Sequence, residues 1–177
     1  SKWAGEQYWL LEHRVHHRPV VSLRLTNCYG PRLRIKDARQ TFLGIWIRRV
    51  LEGEAFEVWG GEQLRDLAYL DDVTDAFLRA ALHAHEPQVM GKVFNIGGAA
   101  PLSLRELAER LIAANGGQGS YMTKEFPADR APIDIGSFAA DDRAFRGATG
   151  WWPRVEVDEG LRRSLEWYRP RLAEYTA

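Results

Sequence analysis

Pro19 splits the opening of the chain into two periods, and that split limits what the chain can become. Ahead of it, Trp3, Ala4, Tyr8, Leu11 and Val15 recur three to five residues apart, drawing an apolar stripe along a helix of about four turns. A proline drives the residue before it out of the helical region, so this helix is expected to end by Arg18. Val20-Val21-Ser22-Leu23-Arg24-Leu25 follows at once, and its β-branched start predicts a strand.

The same alternation runs on. Phe42, Leu43, Trp46, Ile47, Val50 and Leu51 keep helical spacing up to Gly53, while residues 56–59 and 67–70 are short apolar runs expected as strands. Asp71 and Asp72 are favoured N-cap types and predict the start of a helix carrying Val73, Ala76, Phe77, Ala80 and Ala81. Residues 92–96 form another predicted strand, closed by Gly97-Gly98. Ser103-Leu104-Arg105-Glu106 has the capping-box pattern for a helix that stops at Asn115-Gly116-Gly117. A strand near 121–126, a short helix after Asp141 and a last helix over 158–169 complete the order. Strands alternating with helices predict an α/β sheet with covered faces.

At 177 residues, 45% hydrophobic and 27% charged, the chain fits one globular domain with a substantial core. Its 24 basic and 24 acidic residues cancel, so nothing argues for nucleic acid or an anionic membrane as the default partner, and neither is expected. The single cysteine, Cys28, excludes an internal disulfide framework and suits a reducing compartment. No apolar run approaches the roughly 20 residues of a membrane span, and the expected location is cytoplasmic.

Residues able to do chemistry are sparse. A dinucleotide-binding sheet needs a strand, a Gly-rich turn and a helix in direct succession; Gly97-Gly98 follows a strand but lacks the third glycine, so a structural turn is favoured. Arg65 stands beside Gly60-Gly61 at a strand entrance, where its fork of donors suits a phosphate as well as an ion pair with Asp66. Asn27 ends a strand at the edge where open α/β sheets bind ligands, although Asn before Gly-Pro also suits a plain turn. His13, His16 and His17 share a helix end, but no carboxylate or thiol is spaced to complete a metal site, and none is expected. The acid pairs Asp71-Asp72 and Asp141-Asp142 read as helix caps.

The order of motifs resembles the extended short-chain dehydrogenases/reductases, specifically the NAD-dependent nucleotide-sugar epimerases and dehydratases. Ser1-Lys2-x-Ala4-Gly5-Glu6 is similar to the tail of that family's Tyr-x-x-Ser-Lys active-site helix. Ser22-Leu23-Arg24-Leu25-x-Asn27-x-Tyr29-Gly30-Pro31-Arg32 resembles its next strand and substrate turn. Gly61-x-Gln63-x-Arg65-Asp66-x-x-Tyr69-x-Asp71-Asp72-Val73 is similar to its carboxyl-half signature. Val93-Phe94-Asn95-Ile96-Gly97-Gly98, Gly150-Trp151-x-Pro153 and Gly160 to Tyr168 continue the match to the end of the chain.

This resemblance implies the carboxyl-terminal half of such an enzyme, without the Gly-rich dinucleotide turn and the catalytic Tyr. Residues 1–30 and 90–98 would be the last part of a Rossmann-type parallel sheet, and 31–89 and 99–177 a smaller mixed α/β substrate-binding cap. Lys2 would be the catalytic lysine, binding the ribose of NAD and lowering the pKa of the Tyr; Thr26 would approach the nicotinamide. Asn27 and Arg65 would hold the diphosphate of a UDP- or dTDP-sugar, and Val58, Trp59 and Gly60 would line the nucleobase pocket. Arg130 and Asp134 match an Arg-Pro-Gly-Asp pattern with one residue too many. The resemblance further implies a homodimer through the first helix and C4 oxidation and reduction in the full enzyme. A non-catalytic nucleotide-diphosphate-binding module, or a reductase of the same fold, are the alternatives.

Overall fold

The computed structural model of the chain describes residues 1–37, 41–128 and 135–176. Helix α1 (Lys2–His16) ends as expected before Pro19: His17 takes a left-handed conformation, φ 53°, and donates its backbone N–H to His13 O. Strand β1 (Val21–Leu25) follows and β2 (Asn27–Tyr29) comes immediately after it. Then come α2 (Phe42–Glu52), β3 (Phe56–Trp59), β4 (Leu64–Arg65), β5 (Leu67–Tyr69), α3 (Leu70–Leu82) and β6 (Lys92–Ile96). The remaining elements are β7 (Leu102–Ser103), α4 (Leu104–Ala114), β8 (Tyr121–Lys124), α5 (Arg143–Thr149), α6 (Val157–Tyr168) and α7 (Leu172–Thr176).

The strands pair two by two. β1 and β6 run parallel with Val21 opposite Lys92 and Leu25 opposite Ile96. Two further parallel pairs are β2 with β5 and β3 with β8, whereas β4 and β7 are antiparallel. Parallel pairs need cover, because their crossovers bring helices onto the sheet faces. For β1 and β6 the cover is α3 and α5: Ala76, Ala80, Phe94, Ile96, Phe145 and Trp151 form one buried cluster, joined by Val21 and Leu23. The helices α3 and α5, which the sequence division assigns to the cap, thus pack on the strands assigned to the Rossmann-type part. A larger cluster gathers α2, α4 and α6 around β2, β3 and β5, with Trp46, Phe56, Leu107, Leu111 and Leu161 buried in it.

Two positions show how tightly this core is set. Gly160 in α6 lies where a Cβ would fall 2.1 Å from the hydroxyl oxygen of Tyr29, so only glycine lets α6 close over that buried ring. Tyr168, also fully buried, shares its one hydroxyl hydrogen between Gly30 O at 3.0 Å and Leu33 O at 2.9 Å. These bonds anchor the Gly-Pro turn to the last helix.

One reading left open is filled in and one expectation is corrected. The apolar stripe of α1 exists but faces outward: Trp3, Tyr8 and Trp9 are 70%, 73% and 61% exposed, and among the residues of α1 only Leu10 is buried. What ties α1 to β1 is polar, a two-pronged pair from Arg24 to Glu6 with N–O distances of 2.8 and 2.7 Å. Nor do Asp71 and Asp72 cap α3. The N-cap is Tyr69 and the helix has begun by Leu70. Asp72 instead turns its buried carboxylate away from the helix start and accepts the backbone N–H of Arg154 at 2.9 Å and of Val155 at 3.0 Å.

That contact makes Asp72 the clasp between α3 and the segment leading into α6. Asp72→Asn keeps the volume but turns one acceptor into a donor facing an N–H. Stability is expected to fall by about 1–3 kcal/mol, the usual cost of an unsatisfied buried group, measured by urea denaturation.

Candidate functional site

The site grows from the junction of β4 and β5. Asp66 lies between these strands and is 2% exposed. Its carboxylate accepts the backbone N–H of Gly98 at 2.8 Å and that of Ala140 at 2.9 Å. Its own carbonyl accepts the Thr26 hydroxyl at 3.0 Å and, at 3.5 Å, an amide hydrogen of Asn27. Three separate stretches of chain therefore meet on one residue. Burial pushes the Asp66 carboxyl above the ordinary aspartate value of 3.8, against the pull of the Ala140 and Gly98 amides. Sequence reasoning weighed Asp66 only as a partner for Arg65; its carboxylate points instead at main-chain amides.

Gly98 explains the double glycine. A Cβ there would lie 1.7 Å from the carbonyl oxygen of Leu67, so β5 and the end of β6 approach too closely for any side chain. Its N–H is already held by Asp66. This pair is a packing turn, in line with the sequence reading.

Arg65 leaves the same junction in the other direction. Its Nη1 donates to Leu64 O at 2.9 Å and also to the carbonyl of Gly136, while its backbone bridges Phe138. The half-buried side chain edges a cavity of about 650 Å³, shared with Trp46, Trp59, Gln63, Leu104, Met122 and Phe126 among others. Pockets of this size suit a drug-sized ligand with a few fixed polar groups. Aromatic walls give surface for a flat ring, and a guanidinium gives a fork for an anion.

The predicted site residues divide between two neighbouring places. Trp59 and Arg65 line the cavity together. Lys2, Thr26 and Asn27 do not line it: Thr26 and Asn27 bond to the Asp66 carbonyl, Cys28 Sγ bonds to Thr26 O, and Lys2 is close enough to act on that thiol. Burial raises the Cys28 thiol, and the nearby Lys2 ammonium pulls it partly back. Val58 is fully buried and sits in the main core, so its side chain does not line the cavity. Along β3, Phe56 and Val58 are buried and Glu57 and Trp59 more open, and Phe56, Glu57 and Trp59, but not Val58, line the cavity. Gly60 turns the chain at φ 76° under the Gln63 side chain, and its N–H donates to Lys124 O at 2.8 Å. Arg130 and Asp134 lie outside the described residues. The lining residues Trp46, Met122 and Phe126 escaped sequence reasoning, because each reads as an ordinary core or strand residue.

A mixed α/β chain with parallel strand pairs and helices packed on them defines the class, an α/β protein of Rossmann-type kinship. Comparison with known proteins narrows it. Residues 1–97 match the model of the NAD dependent epimerase/dehydratase family, and the chain belongs to that family. It is 31% identical to a dTDP-glucose 4,6-dehydratase of Streptomyces niveus over 98% of this chain and 48% of that one. To a UDP-glucose 4-epimerase of Mycolicibacterium smegmatis it is 30% identical, over 96% of this chain and 51% of that protein. The fold superposes with a TM-score of 0.81 on a Thermotoga maritima UDP-glucose 4-epimerase solved with UDP-glucose, at 29% identity, covering 97% of this chain and 52% of that one. A Bacillus cereus UDP-glucuronic acid 4-epimerase, solved with UDP-glucuronic acid and NAD, gives 0.79 at 26% identity, covering 96% and 51%. The chain thus spans about half the length of these relatives. Among the described residues, no helix is long and apolar enough to cross a membrane.

The raised Asp66 pKa has a sign that can be read in solution. The folded state holds this proton more tightly than the unfolded state, so the contribution to stability is full below 3.8 and is lost as pH rises through the higher folded value. Asp66→Asn removes this dependence. The stability difference between wild type and variant is expected to shrink as pH rises from the acid range toward neutral, followed by urea titrations at stepped pH.

Proposed function

We propose that residues 1–177 are the carboxyl-terminal, substrate-binding portion of an NAD-dependent nucleotide-sugar epimerase or dehydratase. Its substrate on this reading is a UDP- or dTDP-sugar, processed by oxidation and reduction at C4. The observation that carries it is Arg65 at the edge of the roughly 650 Å³ aromatic cavity that it shares with Trp59. A nucleoside diphosphate needs a flat apolar wall for its base and a bidentate donor for its phosphates, and those two features adjoin here. The relatives whose names specify UDP- or dTDP-sugars support the same choice.

In this assignment residues 1–30 and 90–98 belong to the cofactor domain, and 31–89 and 99–177 to the cap, apart from α3 and α5, which cover β1 and β6. Gly97-Gly98 offers no cradle for a dinucleotide pyrophosphate, since Gly98 N–H is bound to Asp66 and a Cβ there would run into Leu67 O. What fits the cofactor is the nicotinamide end alone, through Lys2 and Thr26. Bound NAD supplies reversible hydride exchange. The task of this chain's residues is to orient: Lys2 holds the ribose hydroxyls and favours ionisation of a neighbouring phenol. Thr26, fixed by its bond to Asp66 O, sets how closely the backbone approaches the ring. Arg65, next to Asp66 in sequence, holds the diphosphate at the cavity edge with Asn27, whose amide reaches the Asp66 carbonyl, as the second donor, and Trp59 meets the base. The family's Gly-rich turn and catalytic Tyr are not among residues 1–177, so this chain by itself is expected to bind and not to turn over. The outward stripe of Trp3, Tyr8, Trp9 and Leu11 on α1 suits pairing with a second copy.

Calorimetric titration of the chain with UDP and dTDP tests the reading. Saturable binding is expected, and Arg65→Gln should weaken it about tenfold, the value of a lost charge-assisted hydrogen bond. An Arg65→Gln variant that matched wild type, or a wild type that took up neither nucleotide, would overturn the assignment.

A further inference from the structure

The outward face of the β3–β8 pair carries a chain of contacts that ends on the wall of the cavity. Trp59 and Lys124 are register partners across the parallel pair, and Glu57 stands opposite Met122 on the same face. The indole Nε1–H of Trp59 donates to Glu57 Oε2 at 3.0 Å. The other carboxylate oxygen, Oε1, is held by the Lys124 ammonium. Phe126 stands edge-on to the indole, ring centroids 6.3 Å apart and planes at 88°. Glu57, Trp59, Met122 and Phe126 all line the cavity.

From this arrangement we infer that Glu57, itself aimed by Lys124, is a positioning residue that fixes the Trp59 indole as the base-stacking wall. The inference rests on the nucleotide reading above. An indole on an outward strand position has two soft torsions, and stacking is worth most when they are set beforehand. One bond to Nε1 removes that freedom, and the Phe126 edge supports the ring from the side. The lysine matters because a carboxylate with one oxygen tethered presents the other in a fixed direction. The indole's one donor is thereby committed to the protein, so a base in the cavity meets ring surface and not a hydrogen bond from Trp59. Selection at this wall is by shape and stacking.

Two measurements on the full chain decide it. In nitrogen–proton spectra the Trp59 indole N–H, assigned by its loss in Trp59→Phe, is expected to be protected from exchange in wild type and in Glu57→Gln, which keeps an oxygen acceptor. It should be unprotected in Glu57→Ala. In calorimetry, Glu57→Ala is expected to weaken UDP roughly fivefold, part of the stacking contribution of one base, while leaving inorganic pyrophosphate unchanged. Within the Trp59→Phe background, Glu57→Ala should add less than about a twofold loss, since the coupled partner is gone. Equal losses in both backgrounds, or unchanged exchange of the indole in Glu57→Ala, overturn the positioning role alone. A wild type that binds neither UDP nor pyrophosphate overturns the nucleotide reading, and this inference with it.

Discussion

A buried carboxylate is costly unless every oxygen finds a donor, and at Asp66 the donors come from parts of the chain far apart in sequence. Gly98 follows β6, Ala140 precedes α5, and Thr26 joins β1 to β2; all three bond to this one residue. Each amide would lack a partner if the carboxylate moved, so the junction holds or fails as a unit. Arg65 stands next to it in sequence, and the main chain that carries its guanidinium is fixed for that reason. Its placement at the cavity edge is a consequence of satisfying Asp66.

The junction also lies on the seam between the two hydrophobic clusters. β1 and β6 contribute Leu23, Phe94 and Ile96 to one of them, whereas β2 and β5 contribute Tyr29, Leu67 and Tyr69 to the other. Thr26 is the residue between β1 and β2, and Gly97-Gly98 leads out of β6 against Leu67. A residue at such a seam can present ligand groups without disturbing either core. Thr26 and Asn27 bond to Asp66 itself and Arg65 directly precedes it in the chain, so polar chemistry concentrates where the packing changes hands. Asp72 does similar work, tying α3 to residues 154 and 155.

Much of this was legible residue by residue. Pro19 ended the first helix, the spacing of Phe42 to Leu51 gave α2, and the Ser103–Glu106 capping box is present with both bonds formed. Local rules suffice for such features because their causes lie within a few residues. Asp71 and Asp72 show the limit: they have the right type for caps, yet Asp72 serves a loop some eighty residues away. Val58 shows another: it was expected at the nucleobase pocket, and the main core buries it completely instead. The stripe on α1 was correctly periodic, and spacing cannot say whether a stripe meets a core or solvent.

By itself the sequence determined the element order, the α/β class and the motifs shared with the epimerase/dehydratase family, because propensity, punctuation and period are properties of neighbouring residues. Tertiary structure alone decided that Asp66 gathers Gly98, Ala140 and Thr26, that Trp46, Met122 and Phe126 wall the cavity beside Arg65, and that Trp59 answers to Glu57 and Lys124. Those are contacts between segments whose separation along the chain carries no local signal. They exist only once hydrophobic burial has brought the segments together and each buried polar group has had to find its partner there.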